Sequence, residues 1–439
     1  MSINDYTQEG VNKLDNNILD EINKEVDSIN DEAAVPAEKV NSGKTRNKRR
    51  RRKKKADKPL TPARVFLKVL KWVGISLLSL ILVIVIVFLT IFYSPWFTEV
   101  RDRYILMTYK TSNAWLSTVF FSQELIDKVF EENGMVDTGN EVDPDLIGGN
   151  SSEGQDEDET VPTPKPIEFS TSAKYPATEI YNDGEVQIIE FSGTQSAGSY
   201  TARLIQIKDP SRVFLGVTSK LGTKGELIAD QCAKNDALCG INAGGWVDVG
   251  GVGSGGTPLG TIIKDGKITN YTVNYENQVY SWIIGFTNEN VLVIGEYTND
   301  QIKELGIRDG MSWRAPVKLI VNGEKVEYKG LAGGYDPRSA IGQREDGVVL
   351  LLAIDGTWQR GIDGADFAMV AGIMYEFGAV NAANLDGGTS SVMSLKGQTI
   401  SNNQANPAVA HRGRYLPTTW LVKNKAAEDS TSSTEASSK

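Results

Sequence analysis

The sequence predicts an α+β protein: a single mixed-sheet domain rich in hairpins with few helices, preceded by one transmembrane helix and flanked by disordered tails. Three observations predict it. Residues 72–93 run for 22 positions without a charge. From 167 to 425, short apolar runs alternate with glycine-rich turns, the pattern of many short strands. Elsewhere charge is segregated into blocks that cannot bury a core: ten acids and three bases over 1–43, eleven bases and one acid over 44–58, and eleven acids with no base over 131–159.

The chain thus divides into a disordered tail with a polybasic run (1–71), the span (72–93), juxtamembrane helices (94–132), an acidic and proline-bearing linker (133–166), the sheet-rich domain (167–425) and a Ser/Thr-rich disordered tail (426–439). As a helix the span measures about 33 Å, enough for a hydrocarbon core of about 30 Å. It is apolar all round, unlike a core helix with a polar stripe. The basic residues of 46–58 with Lys68 and Lys71 precede it, so the tail is expected in the cytoplasm and the domain outside. Trp72, Tyr93 and Trp96 stand at its two ends, as interfacial aromatics do. A basic run can also bind nucleic acid. Beside a span it sets topology and meets anionic lipid, and that is the reading adopted, with no nucleic-acid partner.

Residues 99–132 have helical spacing and read as a stalk, from which an enzyme domain would be separable. The linker is expected to be extended by self-repulsion. Within 167–425, residues 200–209 and 212–218 read as strands joined by a tight Asp-Pro-Ser turn. Hairpins are expected at Asp265-Gly266, over 281–295, at Asn322-Gly323 and at Asp346-Gly347. Helices are expected over 226–235 and 364–377, the second with Phe367, Val370, Ala371, Met374 and Phe377 on one face and Gly378 as its stop. Cys232 and Cys239 allow either a short-loop disulfide or two buried thiols.

The net charge of −10 and the mildly acidic main domain exclude a uniformly basic nucleic-acid binder, and a single histidine excludes a multi-histidine zinc site. Two cysteines exclude a disulfide-dense scaffold. Six polar clusters remain. Asn242, Gly244 and Gly245 lie in GINAGGW after a strand; 250–260 holds six glycines but neither follows a strand nor opens a helix, so a dinucleotide site is rejected. Arg338 in DPRSAIG precedes a strand and can fork two bonds to an anion. Asp355 ends the nearly all-apolar LLLAIDG, where partial desolvation raises a carboxyl pKa. Asp386, Gly387, Gly388, Thr389 and Ser390 repeat that arrangement in NLDGGTSS. HRGR contributes His411, Arg412 and Arg414. Two carboxylates, three arginines and amide-rich loops suit an anionic sugar or phosphate ester.

In this order, INAGGW, TPLGTIIKDGKI, DPRSAIG, AIDG, the second helix, NLDGGTSS and HRGR resemble the phosphodiester glycosidase family, over roughly residues 200–425. Bacterial members are associated with exopolysaccharide synthesis. The resemblance implies an extracytoplasmic hydrolase that cleaves a sugar-1-phosphodiester at the anomeric C–O bond. Asp386 would be base or nucleophile, with Asp355 as its partner or as the sugar-binding carboxylate. Arg338 and Arg412 or Arg414 would hold the phosphate, assisted by the Gly387 and Gly388 amides and the Thr389 and Ser390 hydroxyls. Asn242, beside Gly244 and Gly245, would hold a sugar hydroxyl. No cofactor is required; calcium could join Asp355 and Asp386. The rival expectation is a non-catalytic module that binds anionic glycans on a membrane tether.

Overall fold

The computed structural model describes residues 62–109, 114–136, 141–148, 166–195, 198–248, 253–271, 282–313, 318–356, 364–402 and 412–425. Most of the expected disordered tails, the six-glycine loop through residue 252 and His411 fall outside them. Two compact units divide at Leu78 and Ser79, inside helix α1 (Pro62–Tyr93). Of that helix, 65–93 is long and apolar enough to cross a membrane, with a mean hydropathy of 3.2 over an 18-residue window within it.

Three short helices follow: α2 (Thr98–Thr108), α3 (Trp115–Thr118) and α4 (Gln123–Glu132). Ser122 caps α4 by accepting from the Leu125 amide. Ile105, Leu106, Phe121, Ile126 and Val129 form a small core that also takes in Leu331 of the main domain. The helices are therefore docked, not a free stalk. Part of the expected linker is docked too. Val142 and Ile147 are buried, Val136 donates to the Glu327 carbonyl, and Gly148 donates to that of Glu345. The acidity of 131–159 concealed these apolar anchors.

The α+β class is as the sequence predicts. An eight-stranded sheet runs in the order β1 (Thr178–Asn182), β2 (Val186–Gln195), β3 (Gly198–Ile207), β16 (Val349–Asp355), β15 (Arg338–Arg344), β17 (Ala379–Asn384), β13 (Lys318–Val321), β14 (Glu324–Lys325). A second sheet runs β11 (Leu292–Glu296), β10 (Trp282–Thr287), β12 (Ile307–Ser312), β8 (Gly260–Lys264), β9 (Lys267–Tyr271). A third runs β19 (Gln398–Thr399), β18 (Met393–Leu395), β5 (Ala237–Asn242), β20 (Thr418–Lys423), β4 (Val213–Val217). A ribbon of β6 (Trp246–Val247) and β7 (Thr257–Pro258) completes the strands described.

The four expected hairpins form at β8–β9, β10–β11, β13–β14 and β15–β16. Asp265-Gly266 and Asn322-Gly323 both have positive φ, as a type I′ turn demands. The Asp-Pro-Ser turn behaves differently. It joins β3 to β4, which pair in different sheets, so the turn carries the chain between layers. The remaining helices are α5 (Ile228–Lys234), α6 (Asn299–Glu304) and α7 (Phe367–Glu376), the last capped by Asp366 and stopped by Gly378 at φ 89°.

Every strand pair described is antiparallel rather than of mixed direction, and the reason matters for the site. β16, α7 and β17 form a crossover whose two strands run the same way. β15 lies between them, antiparallel to both. The C-terminal ends of β16 and β17 therefore meet the N-terminus of β15 at one sheet edge. One face of this sheet packs on α7 through Leu350, Leu352, Ile354, Val370 and Met374. The other packs on the remaining sheets, with Leu351 and Ala353 joining Ile241, Phe286 and Trp420 in one core. Cys232 and Cys239 are free and buried, so the thiol alternative holds; burial pushes the Cys232 thiol up to about 11.

Candidate active site at the sheet edge

The edge brings together Asp355 from β16, residues 336–338 entering β15, and 386–390 leaving β17. Strands lie about 4.8 Å apart, so Asp355 and Asp386, on either side of β15, leave their strands roughly 10 Å from each other.

Asp386 is half-buried in the loop after β17. Its amide donates to the Ala243 carbonyl at 3.1 Å, which anchors it to the third sheet. Burial pushes its carboxyl up to about 6. The Ser390 hydroxyl, the Arg414 charge and the Gly387 amide oppose the rise, and the Asp336 charge adds to it. Asp336 is the residue that sequence reasoning missed. It too is half-buried and pushed up to about 6 by burial, opposed by Arg338. A Cβ on Gly388 would lie 3.5 Å from an Asp336 carboxylate oxygen, so the loop carrying Asp386 closes directly over Asp336. Gly388 holds φ 59°, a left-handed conformation that suits glycine. Two carboxylates with raised pKa values facing one loop are the usual equipment for proton transfer near pH 6.

Arg414 is the cation of this centre. Its Nη1 donates to Thr389 Oγ1 at 2.6 Å, and Nη2 lies 3.5 Å from Asp248. Its guanidinium stacks over Trp246 at 4.3 Å. Arg412, by contrast, is exposed.

Arg338 sits under the site. It donates Nε to the Ala365 carbonyl at 3.0 Å and Nη2 to those of Gly333 and Gly334 at 3.2 and 2.7 Å. It also covers the Phe367 ring at 4.1 Å. Only Nη1 faces the loop, 3.8 Å from where a Gly387 Cβ would be. Most of its fork thus fixes the turn that presents Asp336.

Asn242 is fully buried and fully engaged. Its Nδ2 donates to the Asp386 carbonyl at 2.7 Å, while Oδ1 accepts from Ser339 at 2.7 Å and the Val392 amide at 3.1 Å. Those bonds hold the loop rather than a sugar hydroxyl. Gly244 donates to Thr418, and a Cβ on Gly245 would overlap the Trp313 ring, so packing explains both glycines. The Gly388 amide donates to the Pro337 carbonyl at 2.9 Å, which shapes the loop internally.

Asp355 is buried in a different setting. Arg203 reaches one oxygen at 2.5 Å and the Asn402 amide donates to both, at 3.0 and 2.9 Å. Arg203 also pairs with Glu190 at 2.6 Å. Burial raises the Asp355 carboxyl despite these partners. With both oxygens engaged, it is poorly placed to share calcium with Asp386. No set of three or more His, Cys, Asp or Glu side chains suited to a metal occurs among the described residues.

The turn before Asp336 is held from outside the domain. Asn133, at the end of α4, accepts from the Leu331 amide at 2.7 Å and its carbonyl accepts from Gly333 at 3.0 Å. Arg103 of α2 lies 4.9 Å from the Tyr335 ring.

Comparison with known proteins gives the class. Residues 235–423 match the family model described as phosphodiester glycosidase. Asp386, Asp336, Arg338 and Arg414 all lie within that match, which supports a glycosidase-type function. The chain is 27% identical over 204 residues to an SPbeta prophage-derived uncharacterized protein, YomE, of Bacillus subtilis (strain 168). That alignment covers 44% of this chain and 29% of the relative's length. Among solved structures, the zebrafish N-acetylglucosamine-1-phosphodiester alpha-N-acetylglucosaminidase catalytic domain, auto-inhibited by its pro-peptide, is 22% identical with a TM-score of 0.45. It covers 58% of this chain and 89% of its own. A hypothetical protein from Synechocystis is 17% identical with a TM-score of 0.40, over 56% of this chain and 64% of its own.

Proposed function

We propose that this is a membrane-anchored hydrolase, with its domain outside the cell, that cleaves sugar-1-phosphodiesters of envelope or exopolysaccharide glycans. The observation that carries the reading is the convergence of Asp386 and Asp336 beside Arg414 within the residues that match the phosphodiester glycosidase family model. The apolar helix and the basic residues before it support the anchoring and its direction.

The chemistry asks for little acid assistance, because a phosphomonoester is a good leaving group. It asks for charge stabilisation and for an activated water or a nucleophile at an oxocarbenium-like carbon. Arg414, steadied by Thr389, takes the phosphate. Asp386 acts on the anomeric carbon, as a base toward water or as a nucleophile. Asp336 replaces Asp355 as its partner and carries the second proton position. Overall, water adds its oxygen to the anomeric carbon, the C–O bond to phosphate breaks with its electron pair on the phosphate, and the water proton passes to a carboxylate. Arg338 and Asn242 position the two carboxylates.

The test incubates the full chain in detergent with a panel of sugar-1-phosphodiesters in water enriched in oxygen-18. Free sugar labelled at the anomeric oxygen supports the reading. Label in the phosphate contradicts it. Binding of the same compounds without cleavage points to the glycan-binding module.

A further inference from the structure

The α3 turn folds back along the end of α1. Phe120 lies 4.8 Å from Phe88 between ring centroids, and Phe121 lies 5.5 Å from Phe92. The Tyr93 hydroxyl donates to the Phe120 carbonyl. At 1.5 Å per residue, Phe88 is about 7.5 Å back from Tyr93 along the helix. Phe120 therefore sits level with residues inside the apolar stretch, not beyond its end.

The turn has two unlike faces. Inward, Phe121 is buried and Ser117 bonds Thr108 at 2.5 Å. Outward, Trp115 is 58% exposed, Val119 65% and Phe120 36%, with Trp96 nearby in sequence to the span at 88%. Residues 114–122, AWLSTVFFS, carry no charge. An aqueous surface does not favour such a cluster, whereas the boundary between headgroups and acyl chains does.

We infer that residues 114–121 form a second, non-spanning membrane contact, with Trp115, Val119 and Phe120 inserted into the leaflet in which α1 ends. The inference rests on α1 being a span. The partner is a lipid bilayer surface. Since α2 and α4 also hold the turn before Asp336, this contact would fix the catalytic edge relative to the membrane.

The test uses the full chain in phosphatidylcholine vesicles, with single thiols introduced by Val119→Cys, Leu82→Cys or Glu345→Cys and labelled with an environment-sensitive fluorophore. The native cysteines are buried, and Val119 and Glu345 are exposed. Lipids with a spin label just below the headgroup should quench position 119 severalfold more than position 345, and an aqueous quencher should do the reverse. If 119 behaves like 345 while 82 is lipid-quenched, the span stands and the inference is overturned. If 82 is not quenched even by lipids labelled near the end of the acyl chain, the span reading fails and takes the inference with it.

Discussion

The two flanks of β15 carry nearly the same sequence device, a buried strand that ends in Asp-Gly, yet they become different chemical environments. At the β16 end, Asp355 is locked by Arg203 and the Asn402 amide. At the β17 end, Asp386 faces a second carboxylate, Asp336, with a partly buried arginine beside it. The difference lies in what the neighbouring strands deliver. β3 supplies an arginine opposite β16, whereas the chain entering β15 supplies an acid opposite the β17 loop. A carboxylate with a committed cation is architecture; one with a like-charged neighbour is poised to exchange protons.

The largest effect should follow from breaking the poised side. Asp386→Asn and Asp336→Asn should each lower kcat at least about a hundredfold with the fold intact, as loss of acid/base help does. Steady-state kinetics with circular dichroism as a control would show it. On the locked side the outcome should invert. Asp355→Asn should cost about 3 kcal/mol of stability by leaving Arg203 without its buried partner, with kcat within about threefold of the wild type. Denaturant unfolding measured beside turnover separates the two quantities. If Asp355→Asn instead matches Asp386→Asn in lost turnover at unchanged stability, the contrast between the flanks collapses.

The comparison is sharpened further out. Asn133→Ala should lower kcat/KM about tenfold by loosening the turn that presents Asp336, since small misplacements are costly. Asn133→Asp retains the acceptor for the Leu331 amide but loses the Nδ2 donor to the Val129 carbonyl, so it should recover only part of the loss. Smallest of all, Arg412→Ala should stay within about twofold while Arg414→Ala does not, because an exposed arginine contributes little.

Much of this was legible in the sequence. The hairpins followed from Asp-Gly and Asn-Gly pairs, α7 from its 3.6-residue period, and Asp386 with Arg414 from glycine-flanked polar residues at strand ends. Asp336 was not. DPRSAIG drew attention to its arginine, and Asp336 gains meaning only once β15 is known to lie between two strands of like direction. Asp355 was misjudged as a partner of Asp386 for a related reason. Its cation, Arg203, lies 152 residues away, and nothing local distinguishes AIDG from NLDG. The docking of 98–136 was hidden because Leu331 and Asn133 look unremarkable until they meet.

The pH profile of kcat/KM, taken for the wild type and Asp336→Asn, tests the paired carboxylates most directly. Both groups are raised toward 6, so activity should peak near that value. Below it both become protonated and no base remains; above it both ionise, and the site repels an anionic substrate. In Asp336→Asn the like charge is gone. The residual activity should show one ionisation, shifted to lower pH, with no alkaline limb. An unchanged two-limbed profile in that variant would contradict the account.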